Sequence, residues 1–259
     1  MSERKCESER ESERESECKE MLSLNDKLSN FVAEITRGRD ESHGHSHMKT
    51  VAETAIRILE SIKDEEFVRA NRDRVLIVAW LHDVADHKYD KTGSLNAKME
   101  KFVYGLGLNG RDADFIIMCV NMVSFSKEVK WGRGYYREFL PMDWQLVRDI
   151  VSDADKLEAI GDIGLERCIH YTLEFFSDLD EEGVLQHAWE HAKDKLLRLA
   201  PEYILTAKGR ELAWPKHAFM MLWFREKGIN ASELAKFELL PKHELPPKSR
   251  PDTPRPPRQ

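Results

Sequence analysis

The sequence predicts an all-α fold. Between residues 21 and 240, apolar side chains recur three and four apart, the spacing of one helical face. No segment alternates apolar and polar residues as a half-buried strand does. Leu28, Phe31, Val32 and Ile35 form the first stripe, and Gly38 can end that helix. A second stripe runs through Val51, Ala55, Ile58, Leu59 and Ile62. From Arg72 to Leu81 the chain is apolar on all sides after Arg74, the pattern of a central, fully packed helix. Val147, Ile150, Val151, Ala154 and Leu157 make another stripe. A last helical region spans 207–227, with Pro215 either kinking it or starting a new helix.

This body is flanked by two segments of different character. Residues 1–20 are a Ser-Glu-Arg-Glu near-repeat with five basic and eight acidic side chains and no apolar face to bury. Residues 241–259 hold seven of the ten prolines and five basic against two acidic residues, which predicts a stiff, extended, basic tail. With a total net charge of −7, the body 21–240 carries the remaining acidic excess. Broad nucleic-acid surfaces need clustered Lys and Arg, so an extended nucleic-acid partner is not expected, whereas one locally positive pocket for a small phosphorylated molecule is compatible.

The longest unbroken apolar run, 75–81, is far short of the roughly 20 residues needed to span a bilayer, and the start of the chain lacks the apolar core of a signal peptide. Four cysteines (Cys6, Cys18, Cys119, Cys168) form no C-x-x-C pair, which argues against a disulfide scaffold or a Cys-type zinc site. The expectation is a reduced, cytoplasmic protein without a membrane partner.

One tempting motif fails on context. Residues 105–110 match the dinucleotide fingerprint G-x-G-x-x-G, which requires a preceding strand. Here 97–104 has helical spacing, so the glycines read as a stop before a helix starting near Asp112.

Three other segments carry ligand chemistry. In His43-Gly44-His45-Ser46-His47, His47 sits one turn before Val51 and points toward the buried face, while His43 and His45 fall on its flanks. His82-Asp83 follows directly on the apolar run, where burial of such groups is costly without a partner. A divalent first-row ion suits imidazole and carboxylate together. The third segment, Asp153-Ala154-Asp155-Lys156-Leu157-Glu158, puts three carboxylates on one helix. Glu158 falls on the apolar stripe; Asp153 and Asp155 flank it at similar angles, so periodicity does not choose between them, and an exposed position remains open for Asp153.

In this order, the segments resemble the signature of HD-domain metal-dependent phosphohydrolases. The similarity is to the subgroup with Ser-His-Asp-x-x-His, His-Asp-x-x-Asp-x-Lys and Asp-Ala-Asp-Arg-Leu-Asp-Ala-Ile-Gly strings, here 42–47, 82–88 and 153–161. It continues through Ser124-Phe125-Ser126, 191–199 and 206–217. The resemblance implies a multi-helix bundle with a divalent metal (Mn, Mg, Fe or Co) between helices, held by His47, His82, Asp83 and Asp155. It implies Asp86 as the group that handles the attacking water, on one helical face with Asp83. Lys88, Lys156 and Lys195 become basic residues near the pocket, Glu158 a supporting group, and Ser124 and His191 candidate substrate contacts. The implied substrate is a nucleotide or similar phosphorylated small molecule, with nucleoside triphosphate pyrophosphohydrolysis as a narrower form. A catalytically silent metal- or nucleotide-binding module that recruits partners through its tails is the alternative. This chain departs from the pattern at Gly44, His45, Thr50, Lys156 and Lys216, none of which is a proposed ligand.

Overall fold

The computed structural model describes residues 23–40 and 43–237, so both tails and Ser42 lie outside the described residues. Among these the chain is helical, with no strand. Ser23 caps α1 (Leu24–Ile35) by accepting a bond from the Asp26 amide, and Gly38 follows at φ 82°, a left-handed turn that favours glycine. The second helix, α2 (His45–Leu59), ends before Ile62, which packs half-buried against the core from the following turn. Asp64 caps α3 (Glu65–Leu81), and Glu65 and Glu66 complement the positive end of its dipole. As the composition of 75–81 requires, Val75 and Ile77 through Leu81 are buried.

The glycine-rich stretch is a helix stop and restart. It separates α4 (Ser94–Tyr104) from α5 (Gly110–Met122), with Gly107 at φ 78° and the Asn109 side chain capping the Asp112 amide at 2.9 Å. After α6 (Phe125–Trp131) and a 3-10 turn (Tyr135–Glu138) comes α7 (Met142–Glu158), whose stripe from Val147 to Leu157 is buried. Then follow α8 (Asp162–Phe175), α9 (Glu181–His191), two π-helical turns (Ala192–Leu196 and Leu199–Tyr203), α10 (Ala207–Glu226) and α11 (Ala231–Leu234). Pro215 lies inside α10, which runs as one helix.

At the centre, α2, α3 and α7 pack against one another. A buried ionic network ties α6 to this centre. Glu128 of α6 pairs with Arg148 and, at 2.7 Å, with Lys156, both on α7. Tyr136 donates to Asp149, which also pairs with Arg148 at 3.2 Å, and the Arg148 guanidinium lies 4.1 Å from the Tyr136 ring centre. Burial lowers the Lys156 pKa, with the Glu128 charge opposing it. Burying ions is worthwhile only while each stays paired. Removal of the shared carboxylate in Glu128→Ala should therefore cost about 3–5 kcal/mol, read as a fall in the urea midpoint. Glu128→Gln should cost less, because it keeps hydrogen-bonding capacity; equal, near-zero losses would contradict this reading of the network.

Candidate metal centre

The triple packing of α2, α3 and α7 brings one residue from each to a common point. His47 lies in the first turn of α2, His82 caps the C-terminal end of α3, and Asp155 lies one turn from the end of α7. His47 Nε2 stands 3.3 Å from His82 Nε2 and 3.4 Å from Asp155 Oδ1, and His82 Nε2 stands 3.6 Å from the same oxygen. Both imidazoles are buried, while a third of the Asp155 side chain faces solvent. His82 Nδ1 faces the Ala79 carbonyl at 2.8 Å, a bond that fixes the ring and turns Nε2 to the triangle.

The triangle fits a metal ion. Donors about 2.1 Å from one ion stand about 3.0 Å apart at right angles and about 3.4 Å apart at the tetrahedral angle. Two imidazole nitrogens facing each other across 3.3 Å also need either a shared proton or a cation between them. Two His and one carboxylate suit a divalent first-row ion and leave coordination positions open.

The same charges act on each other. Burial opposes a charge on His82, yet the Asp83 and Asp155 carboxylates outweigh it and raise its pKa to about 9. Burial likewise opposes ionisation of Asp155, but hydrogen bonds and charge from His47 and His82 hold its carboxyl well below the usual range.

The two aspartates of α7 that periodicity does not separate face different ways. Asp153 is fully buried rather than exposed, and turned away from the triangle. Its carboxylate accepts the Leu205 amide (2.9 and 3.0 Å) and the Thr206 amide (2.6 Å), anchoring the chain just before α10. Burial raises its pKa to about 6, against Lys156 and those amides. Gly209 is required here, because a Cβ would lie 2.6 Å from Asp153 Oδ2.

The expectation that Asp83 and Asp86 share a helical face is corrected. The helix ends at Leu81, and the two aspartates sit in turns, with the Asp86 amide bonded to the Asp83 carbonyl at 3.2 Å. Asp83 is half-buried beside His82, outside the three residues whose ligand atoms converge. Asp86 Oδ1 accepts the Lys88 amide at 2.7 Å, and Oδ2 lies 3.5 Å from His87 Nδ1.

The remaining sequence candidates are not among the three residues whose ligand atoms converge. Lys88 reaches Asp40 at 3.0 Å on the surface, and Lys156 is committed to the Glu128 network. Glu158, the last residue of α7, is buried. Ser124 caps α6 and contacts Ser126 at 3.0 Å. Lys195 Nζ lies 5.6 Å from the Phe125 ring centre, so it stands beside the Ser124 segment. Partial burial and the Lys195 charge lower the pKa of His191. His45 bonds Ser29 at 2.8 Å and His43 bonds Asp40 at 2.8 Å, so neither joins the triangle. Gly44 is tightly packed: a Cβ would lie 3.0 Å from the Asp40 carbonyl oxygen.

Sequence reasoning missed Arg39. Its guanidinium donates to the carbonyls of Asp83 (3.0 Å) and Val84 (2.7 Å) and lies 4.4 Å from the Tyr89 ring centre, clamping the turn that carries the His-Asp pair. A lone arginine after a helix-stopping glycine gives no periodic signal of such a role.

No family model matches the chain. It is 31% identical over 194 residues to YpgQ of Bacillus subtilis strain 168, an uncharacterised protein, covering 72% of this chain and 84% of that one. The crystal structure of YpgQ in complex with ADP superposes with a TM-score of 0.56 at 26% identity, over 81% of this chain and 97% of YpgQ. An HD-superfamily hydrolase from Bacillus thuringiensis shares the fold with a TM-score of 0.58 at 21% identity, over 78% of this chain and 94% of that one. The chain belongs to one family with YpgQ. Its fold is the all-α bundle of HD-superfamily hydrolases, and the triangle joins the HD pair's histidine to a histidine and an aspartate from two other helices. No helix among the described residues is long and apolar enough to cross a membrane.

In the metal-free chain the raised His82 pKa stabilises the fold fully below pH 6.5, and that stabilisation is lost as pH rises through about 9. The lowered Asp155 pKa acts in the opposite direction, stabilising above the ordinary carboxyl value of 3.8 and failing as pH falls through the folded value. Urea stability of chelator-treated protein should fall between pH 6.5 and 9, and the fall should shrink in Asp155→Asn. A flat profile in the parent would contradict the charge balance described.

Proposed function

We propose that this chain is a metal-dependent phosphohydrolase acting on a nucleotide or a similar phosphorylated small molecule. The observation that carries the reading is the triangle of His47 Nε2, His82 Nε2 and Asp155 Oδ1 at 3.3–3.6 Å, open on the Asp155 side. These residues would hold the ion, and Asp83, half-buried and next in sequence to His82, would complete the set. Bound there, a divalent ion would supply Lewis acidity and make the attacking water more acidic. The capture of ADP by the related YpgQ supports a nucleotide as ligand.

The chain's own residues supply the rest. Asp86 orients and deprotonates the attacking water. Lys195, beside Phe125 and Ser124, meets phosphate, and its charge favours the neutral form of His191. Phe125 is itself packed on Tyr203, with ring centres 4.8 Å apart, which holds this segment in place beside the Lys195 charge. Arg39 holds the turn bearing Asp83, so the ligand set does not depend on a free loop. Lys88 balances Asp40 at the surface, and Glu158 supports the end of α7 from within.

Hydrolysis of a nucleotide panel with Mn²⁺, Mg²⁺, Co²⁺ and Fe²⁺ should show turnover with at least one pairing, and product analysis separates phosphate from pyrophosphate release. Tight nucleotide binding without turnover of any substrate would instead identify a silent binding module. In Asp86→Asn, kcat should fall by roughly 10²–10⁴ with metal content and KM near normal, the loss of a group acting in the transition state. Glu158→Gln should have a smaller effect; unchanged kcat in Asp86→Asn would remove Asp86 from the chemistry.

A further inference from the structure

The C-terminal half of α8 leaves two paired rings in water. Tyr171 and Phe175 lie one turn apart with ring centres 4.6 Å from each other, and they are 53% and 62% exposed. Cys168 and Thr172 on the same helix are buried. Phe176, directly after the helix, is 42% exposed, and its ring centre lies 4.5 Å from that of His187 on α9. Large apolar side chains grouped on a surface in this way mark a contact for another segment.

The charge around the rings selects the occupant. Glu174, Asp178, Asp180, Glu181 and Glu182 are exposed, and no Lys or Arg occurs in 168–192 to offset them. The last turn of α8 carries no basic residue either, so the negative end of its dipole has no cation of its own. What fits is a segment that combines apolar rings with Arg or Lys.

This chain carries such a segment. Pro251, Pro254 and Pro257 recur every three residues, and on the three-residue turn of a polyproline helix they share one face. Arg255 and Arg258 recur with the same period on the neighbouring face. Residues 245–259 hold Lys248, Arg250, Arg255 and Arg258 against Asp252 alone. Aromatic-lined surfaces hold polyproline segments by packing rings on prolines.

Position permits the contact. Phe237, the last described residue, lies against Trp189 of α9 with ring centres 6.1 Å apart. Two residues earlier on α9, His187 Nδ1 meets Thr172 of α8 at 2.9 Å. Only α9, about 10 Å across, separates the two contacts. Thirteen residues connect Phe237 to Pro251. A stretch of that length spans about 20 Å as a random coil and about 40 Å as a polyproline helix. Tethering also makes a weak contact sufficient, because a segment held this close is present at an effective concentration on the order of 1 mM.

We propose that residues 251–258 of this chain dock on its own α8, with the prolines on the Tyr171–Phe175 rings and the arginines toward Glu174 and the carboxylates of 178–182.

Carbodiimide cross-linking of the full chain, which joins an amine to a carboxylate in contact with it, tests this by peptide mass mapping. Lys248 lies one polyproline turn, about 9 Å, before Pro251. It should join an acidic residue within 174–182 of the same chain, with a yield that stays constant between about 1 and about 50 µM protein. Tyr171→Ser/Phe175→Ser keeps every amine and carboxylate, yet should lower that yield at least about fivefold, because the apolar contact is lost. Arg255→Glu/Arg258→Glu leaves the helices unaltered and should lower it by a similar factor. If the helix variant melts well below the parent, the tail variant decides alone. The proposal is overturned if Lys248 joins no residue of 174–182, or joins the exposed Glu65 and Glu66 of α3 as often. It is equally overturned by links that form only between two chains, or by an unchanged yield in the tail variant or in a folded helix variant.

Discussion

Three proton-accepting atoms aimed at one point are the constraint on which the structure turns. His47 Nε2, His82 Nε2 and Asp155 Oδ1 lie within 3.6 Å of one another, and each presents electron density to the others. Only protons or a cation reconcile such an arrangement. With protons, His82 stays charged toward pH 9 and Asp155 stays ionised far into acid. With a metal, the same three atoms satisfy one ion at ordinary bond lengths. That the chain holds them together through three separate helices, rather than letting them turn outward to water, is the strongest physical reason to read a metal centre here.

The surrounding ionic groups serve to hold those helices still. Asp153 points away from the centre and binds two amides just before α10, so it joins the C-terminal helix to the helix that carries Asp155. Glu128 does the same from α6, through Arg148 and Lys156. Arg39 secures the turn after His82 through two carbonyls. Buried carboxylates and cations of this kind tolerate little displacement, because each loses its compensation if its partner moves. The neighbouring residues Asp153, Asp155 and Lys156 thus face different ways: Asp155 toward the two histidines, Asp153 toward the amides before α10, and Lys156 toward Glu128.

Much of the fold was legible because packing in an all-helical chain follows a short period. The stripes at 28–35, 51–59 and 147–157 and the apolar run at 75–81 became buried faces, and the glycine-rich 105–110 segment became a helix stop. The buried position of His47 was legible for the same reason, since it lies one turn before Val51. Asp155 was not distinguishable from Asp153 by period, since both flank the stripe; what separates them is contact with Leu205 and Thr206, about fifty residues away. The Asp83–Asp86 geometry escaped because α3 ends at Leu81 with no glycine or proline nearby to mark the break. Arg39 and the Glu128–Arg148 pair, being long-range and aperiodic, left no trace in the pattern.

The central claim is that Asp155, and not its neighbour Asp153, belongs to a metal centre with His47 and His82. Metal content by plasma mass spectrometry, after loading with Mn²⁺ and desalting, tests it on three proteins. The parent should retain about one ion per chain, Asp155→Asn far less than one, and Asp153→Asn, where still folded by circular dichroism, should retain the parent's share. A full equivalent of metal in Asp155→Asn, or no metal in the parent, would contradict the account.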